Sequence, residues 1–160
     1  MNILTLDMAS LTGWARLEPG RPVRSGTLDL DDPRDKRLAL PYRRAKKLLR
    51  FRTWLREQLS VSLCVYEEPF VGRGRKATAW AFSLEATLVL ELAEARVAMR
   101  SVPQATLKLH TTGSGRADEA AMRRAVVKRW GALEGADDNE IDARALLGWA
   151  VDTVGVSCGK

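Results

Sequence analysis

Four acidic residues have the types and spacing that divalent-metal chemistry requires. Asp7 ends the apolar run of residues 3–6, and Glu67 ends a second run, residues 61–66. Asp138 and Asp142 lie four residues apart on a helical pattern, so both project from one face, with Asn139 on an adjoining position. Mg²⁺ is a hard cation, held by one or two carboxylates plus water and substrate phosphate more often than by a complete protein cage. In a two-metal site, with ions roughly 3.5 to 4 Å apart, one ion activates water and the other stabilises the leaving oxygen of an in-line displacement. Each acid alone has an ordinary explanation: Asp7 as a strand end, Asp138 as a helix cap, Glu67 or Glu68 as solvated groups. Strand ends and a helix start that converge on one point make a metal site the better reading of the set.

Other chemistries lack their signatures. His110 is the lone histidine and has no metal-ligand spacing, and no nucleophile-elbow serine occurs near Ser10, Thr111 or Ser114. Cys64 and Cys158 are far apart and form no CxxC motif, which predicts free thiols and a reducing compartment. No apolar run is long enough for a membrane span, since Glu91 and Glu94 break the best candidate, and the N-terminus lacks the basic region of a secretory signal. A cytoplasmic protein is expected. The charge is more specific: 26 Lys and Arg against 20 Asp and Glu give +6 and a pI near 9.7, the balance of a protein that meets a polyanion. Ten cations between Arg34 and Arg56, against Asp35 and Glu57 nearby, predict a basic helix face.

The elements that must position these acids can be read from periodicity. Residues 3–7, the LTGWARLE stretch and residues 24–30 read as three strands of an antiparallel meander. Residues 33–59 have helical spacing, with a break expected near Pro41, and residues 61–66 form a strand buried on both faces. A cationic loop at residues 72–76 precedes a helix over 78–95 and a strand over 96–102. Short and longer helices then follow, the last beginning at Asp137 or Asp138 and running to about Val154. The length of 160 residues predicts one domain, residues 1–160, of α/β class. The order predicts an RNase H-like mixed five-stranded sheet, three antiparallel strands followed by parallel ones, flanked by helices. The tryptophans, Trp14, Trp54, Trp80, Trp130 and Trp149, are expected to pack these elements together.

Three segments resemble the RuvC-type Holliday junction resolvases and their phage-encoded relatives, within the RNase H-like superfamily. They are Leu4-Thr5-Leu6-Asp7-Met8-Ala9-Ser10-Leu11-Thr12-Gly13-Trp14-Ala15, Val65-Tyr66-Glu67-Glu68-Pro69-Phe70, and Asp137-Asp138-Asn139-Glu140-Ile141-Asp142-Ala143-Arg144-Ala145-Leu146. The resemblance implies a homodimeric endonuclease that resolves four-way DNA junctions by paired symmetric nicks, using two Mg²⁺ per active site, with Mn²⁺ as a substitute. A helicase partner is not required by this reading. By position, Asp7, Glu67 and Asp142 would be metal ligands. The chain departs from the pattern three residues before the last Asp, where the family has Asp or His and this sequence has Asn139. Asp138 is the expected replacement, with Asn139 and Glu140 as alternatives. The resemblance also places Lys108 and Arg116 near the scissile phosphate, with Glu119 where a lysine is common, and Phe70 as an aromatic that stacks on bases at the junction centre.

Arg73, Arg75 and Lys76, together with Lys46, Lys47 and Arg50 of the basic helix, are expected to bind DNA phosphates by charge without reading bases. Helix 78–95 could offer one side to a twin subunit. Two alternatives remain open: a nuclease of this fold acting on other branched DNA or structured RNA, and a non-catalytic branched-DNA-binding module. The sugar-kinase and actin-like ATPases also begin with an aspartate-bearing strand and a glycine hairpin, but need two such domains.

Overall fold

The computed structural model describes residues 1–70 and 74–155. Strands β1 (Ile3–Asp7), β2 (Leu11–Leu17) and β3 (Arg24–Asp29) form the antiparallel meander. Helix α1 (Leu40–Gln58) leads to β4 (Leu63–Glu67), and α2 (Arg75–Glu94) leads to β5 (Ala98–Val102). Helices α3 (Gln104–Thr112), α4 (Glu119–Trp130) and α5 (Asp138–Val154) complete the chain. The sheet order is β3-β2-β1-β4-β5, with β1 pairing parallel to β4 and β4 parallel to β5. This is the mixed five-stranded α/β sheet expected from the sequence.

Successive side chains of a strand point to opposite faces, and that alternation divides the interior in two. Ile3 of β1 with Leu63 and Val65 of β4 packs against Leu107, Met122, Val126 and the buried side of α5. Leu4, Leu6, Cys64 and Tyr66 face the other way, onto Phe51 and Leu55 of α1 and Leu84, Leu88 and Leu92 of α2. Burying each of these large apolar side chains contributes about 1.5 to 3 kcal/mol. Thr5 is the polar exception among the buried residues of β1: its hydroxyl donates to the Ala143 carbonyl at 2.7 Å and so ties the central strand to α5. Burial raises the Cys64 thiol well above its ordinary pKa and leaves it inert. The five tryptophans pack against the two cores as expected.

Several boundaries differ from the sequence reading. The helix over 33–59 is a 3₁₀ turn, Pro33–Arg37, followed by α1, and the break falls at Leu38 and Ala39. Pro41 is no breaker because it lies in the first turn of α1, where its missing N–H would have had no helical partner. Helix α2 starts at Arg75 rather than 78, so Arg75 and Lys76 form its first turn instead of a loop. Helix α3 stops at Gly113, whose left-handed φ of 82° closes it. Among the described residues no helix is long and apolar enough to cross a membrane.

Candidate active cleft

Side-chain alternation aims the acids. Asp7 shares the strand face of Ile3 and Thr5, and Glu67 shares that of Leu63 and Val65, so both carboxylates emerge toward α5. The parallel register, Leu6 beside Tyr66, brings the two strand ends level. Glu68 is one residue further, so it is exposed and accepts from the Ser101 hydroxyl at 3.0 Å. Helix α5 is almost entirely buried from Ile141 to Val151, which fixes its first turn over the ends of β1 and β4. Its N-cap is Asp137, which accepts from the Glu140 amide at 2.9 Å and from the Thr27 hydroxyl at 2.6 Å.

The result is a cleft of about 520 Å³ lined by Asp7, Glu67, Asp138, Asn139 and Asp142, with Lys108 of α3 and Glu119 of α4 opposite. All four acids predicted as catalytic and metal-ligating groups therefore reach one cleft, and so does Lys108. Glu140 does not line it, because its carboxylate accepts from the Ser25 hydroxyl on β3. Asp138 lines the cleft, and its Oδ1 accepts from Arg123 at 2.8 Å. Arg123 had no signal in the sequence beyond its position on α4, one helical turn after Glu119.

The electrostatics favour a cation. Burial pushes the Asp142 carboxyl up to about 6; Lys108 opposes this, while Asp138 and Glu119 add like-charge repulsion. Positive charge brought beside such an acid favours its ionised form. Among the described residues no three His, Cys, Asp or Glu side chains are already drawn together as a metal cage. The acids instead face an open cleft, and an all-oxygen donor set with room for water and phosphate suits Mg²⁺ or Mn²⁺.

The nucleic-acid contacts predicted from sequence divide. Phe70 is 57% exposed and lines the cleft, as does Trp80, which sequence reasoning assigned only to packing. Trp80 shows that a tryptophan can pack against a core on one side and face a cleft on the other. Arg116 is exposed on the turn before α4 and does not line the cleft; Glu119 does, so α4 brings negative charge where the resemblance suggested a cation. Arg73 lies outside the described residues, as does Cys158.

The basic helix is less available than its composition implies. Arg50 is turned inward to Asp32, Asp35 and the Leu30 carbonyl, so it fastens α1 to the preceding turn rather than presenting charge. Arg52 and Arg56 clasp Glu91 of α2. Lys47 pairs with Asp31 at 2.7 Å and lies over the Trp80 ring, whereas Lys46 is exposed. Only Asp35 of these partners falls within the local count; Asp31, Asp32 and Glu91 lie outside the segment that carries the cations.

No sequence-family model matches the chain, and no curated protein sequence is significantly similar to it. Solved structures are similar in fold. RuvC of Thermus thermophilus superposes with a TM-score of 0.68 at 16% identity, covering 97% of each chain. The same organism's RuvC in complex with Holliday junction substrate gives 0.71 at 13% identity over 96% of each chain. The yeast mitochondrial Holliday junction resolvase Ydc2 gives 0.59 at 13% identity, covering 90% of this chain and 76% of that one. Over nearly its whole length, the chain has the RNase H-like fold of the RuvC Holliday junction resolvases.

Proposed function

We propose that this protein is a metal-dependent endonuclease that resolves four-way DNA junctions. The observation that carries the reading is the meeting of Asp7, Glu67 and Asp142, from two strand ends and a helix, in one open cleft beside Lys108 and an exposed Phe70. The likeness in fold to RuvC bound to Holliday junction substrate supports it.

Asp7, Glu67 and Asp142 would hold two Mg²⁺ or Mn²⁺ ions, with Asp138 or Asn139 completing the set. When bound, the ions supply an activated water and stabilise the leaving oxygen of the phosphodiester. Lys108 would draw the substrate phosphate toward the acids and offset their repulsion. Phe70 would stack on a base at the branch point, where unpaired faces are accessible. Arg75 and Lys76, with no acid in the first turn of α2, would attract backbone phosphates. A second copy would meet the outward stripe of α2, Ala79, Phe82, Ala86, Leu90 and Ala93, in which Phe82 is 46% and Leu90 70% exposed. The stripe runs the length of the helix at the spacing of a helix–helix seam, and a twofold dimer would present two clefts for paired cuts.

The test is cleavage of a labelled mobile four-way junction beside linear duplex and three-way flap controls, in Mg²⁺ or Mn²⁺ and in EDTA. Metal-dependent, symmetric nicks confined to the junction are expected, and Asp7→Asn should abolish them while preserving binding. Equal cutting of the flap replaces the resolvase with a broader branched-DNA nuclease. Tight binding without cutting in any metal leaves a binding module.

A further inference from the structure

A second concavity, of about 240 Å³, opens beside the carboxylate cleft and shares Ser10 and Trp80 with it. Its walls are the 3₁₀ turn, the first two turns of α1 and Trp80 of α2. Both signs of charge line it, but the acids are already engaged. Asp31 is held by Lys47, Asp32 by Arg34 at 2.7 Å, and Asp35 by Arg50. Lys36, Arg43 and Arg44 add cationic charge to the same walls.

Two buried donors here are unmatched. Arg43 Nε and Trp80 Nε1 are screened from solvent and have no hydrogen-bond partner. A buried N–H without an acceptor is costly, and such groups are rare in folded proteins. Both residues line the same concavity, and each lacks an acceptor oxygen.

We propose that this concavity is a phosphate-binding subsite in which Arg43 and Trp80 donate to a phosphodiester of the strand whose neighbouring phosphate enters the carboxylate cleft. Arg44 and Lys36 add charge, and the shared wall at Ser10 and Trp80 makes the two sites continuous along one backbone. The subsite would set the register of the strand, so that one phosphate stands over Asp7 and Glu67. The inference rests on the nucleic-acid reading above only for the source of the phosphate; a free phosphate offers the same oxygens.

The full-length protein is titrated in EDTA, where cleavage plays no part, with a labelled four-way junction and separately with inorganic phosphate. The indole N–H resonance of Trp80, assigned by its loss in Trp80→Phe, reports on the donor directly. The junction should move this resonance downfield. Arg43→Gln should weaken junction binding about tenfold and lower the slope of log K against log salt by about one, the signature of one lost phosphate contact. Arg21→Gln, which removes equal charge at a distant exposed position, should leave both nearly unchanged. A shift with inorganic phosphate but no junction binding keeps the subsite and sinks the junction reading. Normal binding and salt slope in both Arg43→Gln and Trp80→Phe, with metal-dependent cutting intact, overturns the subsite and leaves the nuclease standing.

Discussion

The main-chain carbonyl of Asn139 occupies the space that a β-carbon on Gly13 would need. Gly13 is also the register partner of Asp7 across β1 and β2, so the first turn of α5 rests directly on the strand pair that carries the first acid. A side chain at Gly13 must lift α5, and Asp138 and Asp142 with it.

Gly13→Ala is therefore expected to cost about 1 to 3 kcal/mol of stability, the usual penalty of overpacking. It should also reduce junction cleavage by about 100-fold, because misplacement of about 1 Å is enough to disrupt a reacting geometry. Urea denaturation and cleavage rates on the same preparation separate the two effects. A variant with normal cleavage would show that α5 is not set by this contact.

Arg123 donates to the Asp138 carboxylate, so it would compete with a metal for that group. If Asp138 is a ligand, Arg123→Gln should tighten Mn²⁺ binding measured by calorimetry without DNA, and Asp138→Asn should weaken it about tenfold, within the range produced by changes around metal ligands. Asn139→Ala would then change little. The reverse pattern, with binding lost only in Asn139→Ala, assigns the amide oxygen as the fourth ligand and leaves Arg123–Asp138 as an ion pair that caps the cleft.

Phe70→Ala should weaken binding to a four-way junction by about 1 to 3 kcal/mol while leaving linear duplex affinity unchanged, because only a branch point exposes base faces for stacking. Fluorescence anisotropy with the two substrates is the measurement. Equal weakening on both would assign Phe70 to general packing.

Glu91 joins α1 to α2. The Arg56 hydrogen bond, helped by Arg52, holds its carboxyl below the usual 4.5 even though burial acts in the opposite direction. A carboxyl with a lower pKa folded than unfolded stabilises the protein above the unfolded value, and that stability is lost as pH falls through the folded one. Glu91→Gln should accordingly lower the denaturation midpoint at pH 7, and the gap to the parent protein should close below about pH 4.5. A gap independent of pH would mean that the side chain acts through packing.

The sequence by itself determined the element order and the mixed sheet, because both follow from short-range pattern: runs of alternating or continuous apolar residues, Asp caps, and glycines at turns. It also singled out Asp7, Glu67 and Asp142, which line one cleft, since their placement at strand ends and on a helix is a local property. Tertiary structure decided what depends on partners distant in the chain. Asp138 and Asn139 line the cleft whereas Glu140 turns to Ser25, a choice made by the rotation of α5 about its buried face. Arg50 and Arg56 are indistinguishable from Lys46 in a local charge count, yet the first two are drawn to Asp35 and Glu91. Trp80 faces both a core and a cleft for the same reason: a helix has two sides, and only its packing shows which is covered.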